Sequence, residues 1–255
     1  MAALGTLLLG LVVSTCGPAP RNTPVPDDPA ALELIERSIR YHGMERFDTL
    51  RARFTFRDRR YTIDTYDGAY TYTRSFRDTT GEDVIDQLTN TGLQRTRNGI
   101  AEVLSDQATT AYTGSVNSVR YFFMLPYALR DPAVNARLLD PVRIDGTDYG
   151  RVEVTFDRTG GGVDHDDVYH YFFAKATGSM DYLAYTFSVE DGGLRFRRAI
   201  NQRRVGGVLV QDYINYGVDG EDRVIDQVVE RYEAGELPEL SRIENTEVEV
   251  VVGGQ

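Results

Sequence analysis

"LRARFTFRDRRYTIDTYDGAYTYTRSF", residues 50–76, decides how this chain is built. Phe54 and Phe56 alternate with Arg53 and Thr55, then Tyr61 and Ile63 alternate with Thr62 and Asp64. A period of two puts successive side chains on opposite faces, so these are half-buried strands with a polar outer face. Asp67-Gly68 tolerates the left-handed backbone of a tight turn and marks a hairpin between two of them.

Outward from this stretch the same grammar returns. Strands are expected near 141–145, 149–157, 167–174, 181–189, 194–204 and 207–216, and again in "NTEVEVVVG" (245–253). Their separators are Asp145-Gly146, the glycines 160–162, Ala176–Gly178, residues 191–193 and Gly206-Gly207. Hairpin turns at such short spacing fit an antiparallel meander and not βαβ units. Residues 28–43 predict a helix, with Asp28 as cap, Leu32, Ile35 and Ile39 on one face, and Gly43 as stop. Residues 221–237 predict another. Residues 78–138 read as mixed helix and loop, with a helix in 115–129 broken near Pro126 and a further helical turn from Asp131-Pro132 to about Leu139. The fold class is therefore α+β: a strongly curved antiparallel sheet, or half-barrel, with a few covering helices, occupying 29–255 as one domain.

The N-terminus has a different character. Leu4–Val13 is an apolar run too short to span a bilayer and suited to a signal-peptide core, ending at Val13-Ser14-Thr15-Cys16. Residues 1–16 read as a signal peptide with a lipobox-like end, Cys16 as its lipidation site, and the Pro-rich 17–28 as an extended tether. Cys16 is the single cysteine, so no internal disulfide forms and a thiol nucleophile is excluded from the folded body. The net charge of −11 argues against nucleic acid and against electrostatic docking on anionic lipid. Lys175 is the sole lysine and lies beside a turn in "FFAKATGSM", where a solvated side chain is expected and not a Schiff-base lysine.

Three stretches carry a resemblance: "YHGMERFDTLRARFTFRDRRYT" (41–62), "SVNSVRYFFMLPYALRDPAVN" (115–135) and "DYLAYTFSVEDGGLRFRRAINQRRVGGVLVQDYINY" (181–216). From about residue 33 to 250 the chain resembles an uncharacterised family of bacterial envelope lipoproteins, itself similar to the LolA/LolB-type lipoprotein-sorting carriers. Met44 stands where that family usually has a second glycine. The resemblance implies an open half-barrel with a helical lid over an apolar cavity, in an exported protein of the periplasm or outer membrane.

"GGGVDHDDVYHYFF" (160–173) gathers His165 and His170 with acids. On a straight strand Asp166 and His170 are separated by over ~13 Å, too far to share an ion. A turn leading into a strand is the better reading, with Asp164, Asp166 and Asp167 keeping a residual claim to a hard cation; no metal or other cofactor is expected. His42, at the end of the first helix, is either a ligand contact or a histidine bonding local backbone. Asn117, Tyr121 and Tyr127 flank the broken helix, Arg195, Arg197 and Asn201 alternate along a late strand, and Tyr213 and Asn215 follow on the next. Two guanidiniums on one face could clamp a carboxylate or phosphate head; the alternative is pairing with acids on a solvated face. The leading expectation is a non-catalytic, monomeric binder of a lipid, acyl chain or other hydrophobic molecule, touching the membrane only through its anchor. Its cavity should hold a few hundred cubic ångströms and be lined from 115–129. An envelope enzyme of hydrolase or lyase type, metal-assisted or not, and a purely structural envelope protein stay open. An aldolase is disfavoured, for want of βα alternation.

Overall fold

The computed structural model describes residues 28–157, 167–188 and 192–253. The expected signal peptide, Cys16, the tether up to residue 27, and Asp164 and Asp166 lie outside these residues. The described chain forms two seven-stranded antiparallel sheets, curved and unclosed, with three α-helices.

In the first sheet the order is β14-β1-β2-β3-β4-β5-β6, built from β1 (Leu50–Phe56), β2 (Arg59–Tyr66), β3 (Ala69–Arg77), β4 (Asp83–Thr89), β5 (Gly92–Arg97), β6 (Ile100–Glu102) and β14 (Thr246–Val252). The second sheet runs β13-β12-β11-β10-β9-β8-β7. Its strands are β7 (Val134–Ile144), β8 (Thr147–Phe156), β9 (Tyr169–Ala174), β10 (Met180–Phe187), β11 (Gly193–Val205), β12 (Val208–Asp219) and β13 (Glu239–Ile243). Asp67-Gly68, Asp145-Gly146 and Gly206-Gly207 all have positive φ and turn hairpins as their sequences require.

Several elements depart from the sequence reading. Much of 78–138 is strand: β4, β5 and β6 occupy 83–102, turned at Asn98-Gly99. The helical turn expected to end near Leu139 is instead β7, an edge strand that tolerates Pro141 because its ladder slips between Leu139 and Val142. The helix expected over 221–237 shrinks to a 3₁₀ turn at Ile225–Gln227 and the short α3 (Val228–Glu233).

Helix α1 (Pro29–His42) begins at Asp28, whose carboxylate accepts from Ala30 N–H at 2.9 Å, and ends at left-handed Gly43. Helix α2 (Asp106–Phe123) is capped by Ser105 and stops before Pro126. The principal core joins the facing sides of both sheets with α1 and α2; Phe54 stacks on Phe123 at 4.1 Å and 1°. A smaller core lies on the other side of the second sheet, where Phe172, Tyr182, Leu194 and Phe196 pack under Val228 and Leu237. That second layer explains why β9, "YHYFFA", is buried throughout: both its faces meet core.

Only Val116 of α2 is fully buried, so apolar contact alone does not seat this helix. Beneath it Asp86, wholly buried, accepts from Arg74 Nε (2.8 Å) and Arg95 Nε (2.6 Å). Arg74 also donates to Ser115 on α2 at 2.5 Å, and Arg95 lies 3.4 Å from the Tyr112 ring. A polar plug thus fixes the helix on the first sheet. The two sheets meet at the β11–β12 turn, where a Cβ on Gly206 would stand 2.1 Å from the Val250 carbonyl oxygen of β14.

Candidate functional site

Between α2 and the two sheets lies a cavity of about 420 Å³. Helix α2 and the segment after it supply Ser115, Ser118, Val119, Phe122, Phe123 and Leu125. The first sheet supplies Phe56 and Tyr61, with Arg57 and Arg59 on the β1–β2 hairpin. The opposite wall comes from Arg197 on β11, then Leu209, Val210, Gln211, Tyr213 and Asn215 on β12, with Ile243 and Asn245 beyond. The expected position and size are met. The lining is mixed where an apolar one was expected: three arginines and no acid face it beside the aromatic and aliphatic groups.

The polar groups are unevenly satisfied. Gln211 Nε2 donates to the Tyr213 hydroxyl (2.6 Å) and to the Met180 carbonyl (3.0 Å). Burial pushes the Tyr213 phenol up to about 12, so it stays neutral. Arg197 is 8 % exposed; its Nη2 donates to the Tyr185 hydroxyl at 2.7 Å, and its guanidinium sits 3.9 Å over the Phe122 ring. Its Nε has no acceptor among the described residues, and neither does Oδ1 of Asn215, directly across the ladder, find a donor.

The other expected site residues scatter. Arg195 and Arg197 share a smaller adjoining pocket of about 300 Å³, together with buried Asp167, but Arg195 is engaged by Asp219 at 2.6 Å and by the Val218 carbonyl. Asn201 leaves their face. The ladder slips between Ile200 and Arg203, Asn201 takes φ of +51°, and its amide donates to Asp212. Tyr121 points into the core instead, bonded to Tyr171; Tyr127 packs on Phe47; Asn117 is exposed on α2. His42 does not line the cavity. It is fully buried under α1, its Nε2 accepts from Met180 N–H at 3.2 Å, and burial lowers its pKa to about 4, so it is neutral. His170 is equally buried, 3.6 Å from Glu153, away from the cavity lining. Among the described residues, no three His, Cys, Asp or Glu side chains are placed to hold a metal ion.

Arg57, Arg59, Gln211 and Asn245 are among the lining residues that the sequence reading missed. A run of arginines in "FRDRR" beside a hairpin turn is a visible signal, but its neighbours across the cavity belong to strands some 150 residues later.

Among solved structures, the chain is similar to a LolA superfamily protein from Nitrosomonas europaea, at 12 % identity and a TM-score of 0.46, covering 88 % of this chain and 94 % of that one. A DUF1329 family protein from Desulfovibrio piger gives 10 % identity and a TM-score of 0.49 over 88 % and 95 %. The Mycobacterium tuberculosis lipoprotein LppX gives 11 % and 0.29 over 64 % and 90 %. No curated protein matches the chain. Among the described residues no helix is long and apolar enough to cross a membrane. Residues 27–245 match the model of a family of unknown function (DUF6503), in line with the uncharacterised family read from the three stretches, and the chain belongs to that family.

Proposed function

We propose that this protein is a non-catalytic binder of a hydrophobic or amphipathic molecule, held in the cavity between α2 and the two sheets. The cavity itself carries the reading. Its volume, about 420 Å³, falls within the range of small-molecule sites, and it combines apolar walls with a few polar groups. His42 and His170, the histidines among the described residues, are buried away from it. The N-terminal segment supports export and attachment through Cys16 to the outer membrane, with the folded body acting as a monomer.

Displacement of a neutral solvatochromic naphthalene probe tests the binding. Saturable probe fluorescence, lost when Ser118→Trp fills the cavity beside α2, is the expected result. Fluorescence that Ser118→Trp leaves unchanged in a folded protein would sink the reading. Metabolic labelling with an alkynyl fatty acid tests the anchor: Cys16→Ser should abolish the label.

A further inference from the structure

We infer that the cavity selects a single-chain amphiphile bearing an oxyanion head, a carboxylate or phosphate monoester, and that Arg197 binds the head. This rests on the ligand-binding reading above and adds the chemistry of the occupant.

The argument starts from an uncompensated charge. Taking a guanidinium out of water costs several kcal/mol unless a counter-charge or full hydrogen bonding offsets it. The other two fully buried arginines among the described residues follow this rule: Arg74 and Arg95 both close on Asp86. Arg197 breaks it. Among the described residues it makes one hydrogen bond, to a neutral phenol, and has no carboxylate oxygen within 4.0 Å. Two ring faces, Phe122 at 3.9 Å and Tyr185 at 5.1 Å, offset part of the cost but give Nε no acceptor. Arg195, which shares the adjoining pocket with Arg197, is taken by Asp219.

The surroundings point the same way. The protein has 39 acids against 28 basic residues, yet the cavity lining has three arginines and no acid. Arg57 and Arg59 lie against the Phe56 and Phe76 rings and, among the described residues, form no ion pair. An anion is therefore drawn to the β1–β2 hairpin and bound at Arg197, whose planar fork matches two oxygens of one head. Val119, Phe123, Leu209 and Ile243 offer apolar wall for the tail, and the volume lies near the small end of ligand pockets, which suits one chain better than several.

The test uses the full-length protein loaded with the neutral naphthalene probe, displaced in parallel by hexadecanoic acid, hexadecyl phosphate, hexadecanol, hexadecyltrimethylammonium and inorganic phosphate. The acid and the phosphate ester should bind about ten- to a hundredfold tighter than the alcohol, and the cation weakest. Arg197→Met, which keeps the apolar stem, should bring both anions to the level of the alcohol without changing the alcohol; Arg197→Lys should restore part of the preference. Equal affinity of acid and alcohol in the unsubstituted protein overturns the head assignment and leaves the cavity reading standing. So does a preference that survives Arg197→Met. Inorganic phosphate competing as well as its hexadecyl ester overturns the amphiphile. If no long-chain compound displaces the probe, the cavity reading falls with it.

Discussion

The hydroxyls of Tyr121 on α2 and Tyr171 on β9 meet at 2.8 Å within the core, a polar contact between that helix and the second sheet. Tyr171→Phe leaves the Tyr121 hydroxyl buried without its partner and should cost about 1–3 kcal/mol. Removing both hydroxyls should cost less than the two single changes added together. Urea unfolding of the two singles and the double closes the cycle, and strict additivity would show that the contact contributes nothing.

Asp86 compensates two buried arginines at once. Asp86→Asn keeps the shape and removes the charge, so a loss of about 3–5 kcal/mol is expected. Because Arg74 also holds Ser115, amide exchange in α2 should quicken more than in α1. An unchanged denaturation midpoint would refute the plug.

His42 makes stability depend on pH. Its folded pKa is lowered from 6.5 to about 4, chiefly by burial, so below pH 6.5 the unfolded chain binds a proton that the folded one refuses. Its contribution is present above the unfolded value and is lost as pH falls from 6.5 towards 4, by about 3 kcal/mol in all. His42→Gln should flatten the stability curve across that window. Glu153, held at about 2 by His170 and Arg137, acts only at lower pH.

Gly206→Ala and Gly207→Ala separate backbone strain from collision. Both positions have positive φ, +58° and +87°. A Cβ on Gly206 also meets the Val250 carbonyl at 2.1 Å, whereas one on Gly207 meets nothing within 4 Å. The Gly207 variant should lose about 1 kcal/mol and the Gly206 variant distinctly more, by thermal unfolding.

The meander was legible where turn chemistry is compulsory. Asp67-Gly68 and Asp145-Gly146 have left-handed backbones that few other pairs accept. β4 was illegible because its alternation carries the wrong residues: Asp86 is buried and Ile85 is exposed. Asn98-Gly99 did signal the following hairpin, yet the apolar centre beyond it drew the whole region towards helix. At the site, the α2 wall was visible from its own spacing. Asn201 was misplaced because a bulge, silent in the sequence, changes which face a strand residue takes. Arg57 and Arg59 become neighbours of Arg197 only when the two sheets meet, and no local pattern encodes that.

Pairing of β1 with β14, Leu50 opposite Val252, has a consequence in time. The ribosome and any export channel deliver β1 about two hundred residues before its partner, and Ile243 and Asn245 of the cavity wall come just ahead of that partner. Contacts this distant make closure slow, and until it occurs β1 offers an unpaired edge to chaperones or to other chains. The cavity between α2 and the two sheets is therefore completed late, once Ile243 and Asn245 have emerged.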